Sequence, residues 1–130
     1  MPLTFRIDPE LDLVITDGSG DVDEAELFGH VKALTATPDR PRRELADFSR
    51  QTCVSVSPQT VRDAAWRLAE LEGPRAGAML ALVAASDTVY AMCRMFQAHR
   101  TQEGLEVKVF RERQGALAWL GITADVGPVH

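Results

Sequence analysis

The sequence predicts an α/β fold of about five strands and four helices, on three observations. The run Ala78-Met79-Leu80-Ala81-Leu82-Val83-Ala84 is apolar on both faces, and strands buried on both sides are usually parallel ones with helices packed over them. Three times a short apolar strand passes through a polar joint straight into a helix whose N-cap can be read from the residues. A pair of β-rich runs precedes this alternation. Right-handed crossovers then leave the last four strands parallel, with the N-terminal strand antiparallel at the edge.

Leu3 to Ile7 and Leu11 to Thr16 form a hairpin, because Asp8-Pro9-Glu10 between them fixes a turn. Asp17-Gly18-Ser19-Gly20 reads as a flexible joint. Asp23 and Glu26 make the reciprocal cap of a helix that buries Leu27, Val31 and Leu34 along one stripe, and Pro38 and Pro41 end it. The next strand, Arg43 to Phe48, is short and less apolar, and a second joint runs from Ser49 to Val56. Ser57 caps the following helix, with Pro58 in its first turn. Val61, Ala64, Ala65, Leu68 and Leu71 give that helix its buried stripe as far as the stop at Gly73-Pro74. Beyond the doubly apolar strand, Ser86-Asp87 leads into an amphipathic helix from Thr88 to about Arg100 that buries Val89, Met92, Cys93 and Phe96 before Gly104. Glu106 to Phe110 alternates as a strand with one wet face, and Ala116 to Leu120 closes the fold as a short helix. Residues 1–121 thus make one domain, with Ile122 to His130 as a frayed tail.

Composition narrows the class. The 130 residues are 45% hydrophobic, enough for one core of ordinary size. A net charge of -5 argues against a surface built for nucleic acid or anionic lipid. The basic cluster Arg40-Pro41-Arg42-Arg43 is too short to reverse that and reads as a solvated loop. Cys53 and Cys93 have neither Cys-x-x-Cys spacing nor a histidine partner, so both read as small buried hydrophobes in a reducing cytoplasm. The longest apolar run, Ala76 to Ala85, is half of a bilayer span, and Arg6, Asp8, Glu10 and Asp12 break up any signal-peptide core. A soluble cytoplasmic protein without membrane insertion is expected.

Sheets of this kind place ligands at the carboxyl ends of their strands, where joints and helix N-termini gather. That edge collects Asp17, Gly18, Ser19, Asp47, Ser49, Arg50, Ser86, Asp87 and Arg111. No catalytic motif is complete there. Gly18-Ser19-Gly20 lacks the glycine two residues before the serine that a nucleophile elbow requires, and Asp23 replaces the third glycine of a dinucleotide fingerprint. His30, His99 and His130 are too far apart to pair as metal ligands at helical spacing. No cofactor and no metal are therefore expected. An enzyme using Asp47 and Asp87 as acid and base beside Arg94 is the catalytic alternative. The plainer reading has Asp87 in a helix first turn and Asp47 bonded to a loop amide. Arg94 either lays its stem over the core or holds Asp47 or a ligand anion through paired hydrogen bonds. Met79, Met92, Met95 and Phe96 are core residues or the lining of a pliable apolar pocket.

The order of these segments resembles the SpoIIAA-like branch of the STAS domains, the family of sulfate transporters and anti-sigma-factor antagonists. The likeness covers nearly the whole chain. It rests on Asp23-Glu24-Ala25-Glu26-Leu27, Leu45-Ala46-Asp47-Phe48, Val54-Ser55-Val56-Ser57, Tyr90-Ala91-Met92-Cys93-Arg94-Met95-Phe96, and Val109-Phe110-Arg111 followed by Ala116-Leu117-Ala118-Trp119-Leu120-Gly121. The resemblance implies a curled sheet with strands in chain order, helices wound over it as a β-α superhelix, and a regulatory or protein-interaction role without catalysis. The family's kinship with the lipid-carrying SEC14 domain makes a small-molecule or lipid-binding module the alternative. In the antagonists an Asp-Ser-Ser-Gly motif starts the second helix, and its first serine takes a phosphate that repels a kinase partner. Here Ser55-Val56-Ser57-Pro58 puts valine in that place, so a phosphorylation switch is not expected. The candidate ligand- or partner-binding residues are Asp47, Ser49, Arg50, Ser55, Ser57, Ser86, Asp87 and Arg94. The expected partner is another protein, or a small apolar or anionic ligand, met by a monomer or weak homodimer.

Overall fold

The computed structural model describes residues 3–100 and 103–123, apart from the side chains at positions 52–54. Five strands form one sheet in chain order: β1 (Leu3–Asp8), β2 (Leu13–Val22), β3 (Arg43–Val54), β4 (Ala78–Val83) and β5 (Leu105–Phe110). β1 is antiparallel to β2, and every other neighbouring pair is parallel. The expected α/β class, hairpin and parallel run are all present. Helices α1 (Glu24–Thr35), α2 (Pro58–Glu72) and α3 (Asp87–His99) share one face, and α4 (Arg113–Leu120) lies on the other.

Strand periodicity divides the core between these faces. Register aligns Ile15, Leu45 and Ala81, then Asp17, Asp47 and Val83. These residues face α4, whose Ala116, Leu117 and Leu120 close over Leu13, Ile15, Leu45, Ala81 and Val83. The intervening rows, Val14, Glu44 and Leu80, then Thr16, Ala46 and Leu82, face the three-helix layer. β5 turns Leu105, Val107 and Val109, each half-buried, toward that layer and leaves Glu106 and Lys108 wet.

Caps set where the helices begin. Asp23, Ser57 and Ser86 accept the N–H groups of Glu26, Thr60 and Val89 at 2.9, 3.1 and 3.2 Å, each meeting one of the donors a helix start leaves unpaired. The reciprocal half of the first cap is not made: Glu26 Oε2 is buried without a hydrogen-bond partner among the described residues.

Four expectations need correction. The joint at Asp17 to Gly20 and the joint after Ser49 are strand, because β2 and β3 continue as one parallel ladder to Val22 and Val54. Register shifts absorb the irregular residues between Asp17 and Ser19 and between Gly20 and Asp21. Gly18 is needed there, since a Cβ at that position would stand 2.5 Å from the Phe48 ring. Leu71 is 60% exposed and belongs to no buried stripe. The basic cluster is not a solvated loop. Arg40 pairs with Glu72, and Arg43 donates to the Leu11 and Leu120 carbonyls. Arg42 alone of its three arginines is exposed. Finally, Ile122 is buried against α4 and its N–H reaches Leu117 O at 2.9 Å. The frayed-tail expectation thus fails at its first residue, and residues 124–130 lie outside those described.

Candidate functional site

The carboxyl edge of the sheet holds a closed ion cluster. Asp17 and Asp47 stand side by side on β2 and β3 beneath α4, 3% and 5% exposed. Arg113, at the first position of α4, places Nη1 2.5 Å from Asp47 Oδ2 and 3.4 Å from Asp17 Oδ1. Arg50 Nη2 lies 4.0 Å from the same Asp17 oxygen. Ser49 donates its N–H to Asp47 Oδ1 at 2.8 Å, as the plainer reading of Asp47 required. This carboxylate pair thus pins a helix start and a loop.

The remaining predicted residues are dispersed. Asp87, exposed at the start of α3, meets Arg111 at 2.8 Å, and that guanidinium lies over the Tyr90 ring at 3.9 Å. Asp47 and Asp87 are therefore engaged separately, one under α4 and one in solvent, and form no acid–base pair. Arg94 is exposed on α3, across the sheet from the face on which Asp47 meets Arg113. Ser57 and Ser86 serve as caps, and Ser55 Oγ donates to Asp21 Oδ2 at 2.6 Å. Arg113 was missed in the sequence. Its signal was a cation in the first turn of a helix, where the dipole disfavours it unless a carboxylate stands nearby.

A different site lies inside the three-helix layer. A cavity of about 110 Å³ separates the sheet from α1, α2 and α3. Ala46, Leu80 and Leu82 form its floor. Val31 and Leu34 of α1, Val61 and Leu68 of α2, and Val89, Met92, Cys93 and Phe96 of α3 form its walls. Ala46 faces the helices between longer neighbours and is too short to fill the space. Of the four residues proposed for an apolar pocket, Met92 and Phe96 line it, Met79 packs on the α4 face, and Met95 takes no part in the lining.

Polar groups enter the cavity wall at a few points: Glu44, His30, Arg100 and Gln51. Glu44, buried on β3, accepts a hydrogen bond from Thr16 Oγ1 at 3.3 Å. Beside it, Glu72 at the end of α2 binds Arg40, Arg75 and Arg100. Arg40 Nη1 also donates to Leu34 O at 2.8 Å. Cations are favoured at helix C-termini, where carbonyls are left without intrahelical partners. Burial draws the Arg40 and Arg100 guanidiniums down to about 10, against the pull of Glu44, so both stay charged at neutral pH. Burial likewise lowers His30, against Glu44 and with help from Arg40. The buried Cys93 thiol is pushed up to about 12, which keeps it protonated and a poor nucleophile.

Among the described residues no group of three or more His, Cys, Asp and Glu side chains is placed to hold a metal ion. No described helix is long and apolar enough to cross a membrane. No family model matches the chain, and no curated protein matches it significantly.

Proposed function

We propose that this chain is a non-enzymatic binding module, working in the cytoplasm, that holds a small apolar ligand between its sheet and its three-helix layer. The observation that carries this reading is the cavity beneath α1, α2 and α3, apolar except where Glu44, His30, Arg100 and Gln51 reach its wall. Ligand sites combine those two properties, an apolar body and a few placed polar groups. The chain-order sheet supports the STAS and SEC14 resemblance, within which ligand carriage is the alternative to partner switching. An apolar void of about 150 Å³ takes up benzene, so a cavity of about 110 Å³ suits a ligand of one ring or a short branched chain. Met92, half-buried in the wall, supplies some give. The test is uptake of toluene followed by NMR. Methyl shifts confined to Val31, Val61, Leu82 and Val89 are expected in the wild type, and Ala46→Leu should abolish them by filling the floor. Shifts absent from the wild type, or unchanged in the filled variant, overturn the reading.

A second reading keeps the regulatory role, with another protein as partner. It is favoured by Trp66 and Leu71, 52% and 60% exposed on α2. Arg62 lies over Trp66 on the side of α2 toward His99 of α3, and Arg67 lies over Phe28 beside Leu71 on the side toward α1. Each exposed apolar group thus has a cation next to it, which suits a partner presenting apolar and acidic groups together. Cross-linking in cells from position 66 should capture an acidic partner, and capture of none removes this reading.

A further inference from the structure

The polar end of the cavity narrows what the ligand is. Glu44 is a buried acceptor in the cavity wall, and among the described residues one donor, Thr16 Oγ1 at 3.3 Å, meets it. A carboxylate has about four acceptor positions, so capacity remains at a group that lines the cavity. His30 stands on the same wall, close enough to Glu44 to feel its charge. Its lowered pKa leaves the imidazole neutral at neutral pH, with one nitrogen donating and the other accepting.

Charge decides among ligands. Glu44 and Glu72 face Arg40, Arg75 and Arg100, so the surroundings already hold three cations, two of them with buried side chains, for two anions. A cationic ligand would add to that excess where little water screens it. An anionic ligand would meet Glu44 itself, while the one arginine lining the cavity, Arg100, is held on Glu72. Either charge would also lose its hydration in an apolar space. We propose that the ligand is a small uncharged alcohol or phenol, its hydrocarbon body among Val31, Leu82 and Val89 and its hydroxyl shared by Glu44 and His30. This inference rests on the cavity reading above and adds the chemical class of its occupant.

The experiment titrates the full chain with four one-ring probes, phenol, toluene, benzoate and benzylamine, followed by NMR. Phenol and toluene match in shape and differ in the hydroxyl. A hydrogen bond to a charged acceptor makes phenol about tenfold tighter, and the two charged probes should not bind measurably. Glu44→Leu should erase the preference for phenol while retaining toluene. His30→Phe should reduce it, and it serves alone if Glu44→Leu does not fold. Equal binding of phenol and toluene, tighter binding of either charged probe, or a preference that survives both substitutions overturns the hydroxyl assignment and leaves the cavity reading standing. Failure of both phenol and toluene to bind removes the two together.

Discussion

The two faces of the sheet carry the same ingredients and use them oppositely. Beneath α4, Asp17 and Asp47 are matched by Arg113 and Arg50, and the apolar residues below them close on one short helix. Beneath α1, α2 and α3, Glu44 and Glu72 meet three arginines and a neutral imidazole, and the apolar layer leaves a void. Convergence of polar residues is therefore a poor guide to a site in this molecule. The matched cluster fastens a helix, whereas the face with unused acceptor capacity and unfilled volume has room to bind.

The largest expected effect separates the two ion clusters. Glu72→Ala removes the carboxylate that three guanidiniums share, two of them with side chains under 10% exposed, and should cost about 3–5 kcal/mol in urea unfolding. Asp47→Ala should cost less, about 1–3 kcal/mol, because Arg113 is 23% exposed and turns to water. Equal losses would mean that the clusters do not differ as described. Next come the leucines. Leu45→Ala on the closed face and Leu82→Ala on the cavity floor both fall within about 2–5 kcal/mol. Leu45→Ala should lie near the top and Leu82→Ala near the bottom, since a side chain beside a void has fewer contacts to lose. Calorimetric melting of the pair reads the order.

Adding volume reverses the sign between faces. Ala116→Val, at a fully buried position on the sheet-facing side of α4, should cost about 1–3 kcal/mol through overpacking. Val61→Ile, on the cavity wall, should be neutral or raise the melting temperature. A loss for both would show that the void is not available to an added methyl group. The smallest effect is in pH. His30 binds its proton more weakly folded than unfolded, so stability should fall as pH drops below about 6.5, and the fall stops once pH passes below the lower folded-state value. His30→Phe should flatten that part of the profile. A stability that rises on acidification through this range would contradict the burial of the imidazole.

Much of the scaffold was legible because it is written locally. Ser57, Ser86 and Asp23 announce helix starts within a few residues, and the Ala78 to Ala84 run announces a strand covered on both sides. The continuations of β2 and β3 were hidden because Gly18, Ser19, Ser49 and Arg50 are weak strand formers whose strand state is set by partners far along the chain, Leu3 for Gly18 and Arg50 for Ser19. The candidate site was less legible still. Ala46 reads as a small core residue in the sequence, and only its place among Leu80, Leu82 and α3 turns the missing side chain into a space. Arg40, Glu72 and Arg100 are separated by tens of residues, so their meeting follows from three helices ending at one level. The carboxyl-edge rule found real convergence in Asp17 and Asp47, and the partner that closes it, Arg113, comes from a helix assigned only from Ala116 onward.

The position of α4 in the chain has a consequence for synthesis. Each strand bonds only to its neighbours in sequence, so the hairpin and each later strand with its helix can dock as they leave the ribosome, without a gap to be filled from downstream. The exception is the surface formed by Leu13, Ile15, Leu45, Ala81 and Val83, which waits for Leu117 and Leu120. Until those residues emerge, the nascent protein carries a nearly finished sheet with one sticky side, which makes that interval the one in which a chaperone would have the most to shield.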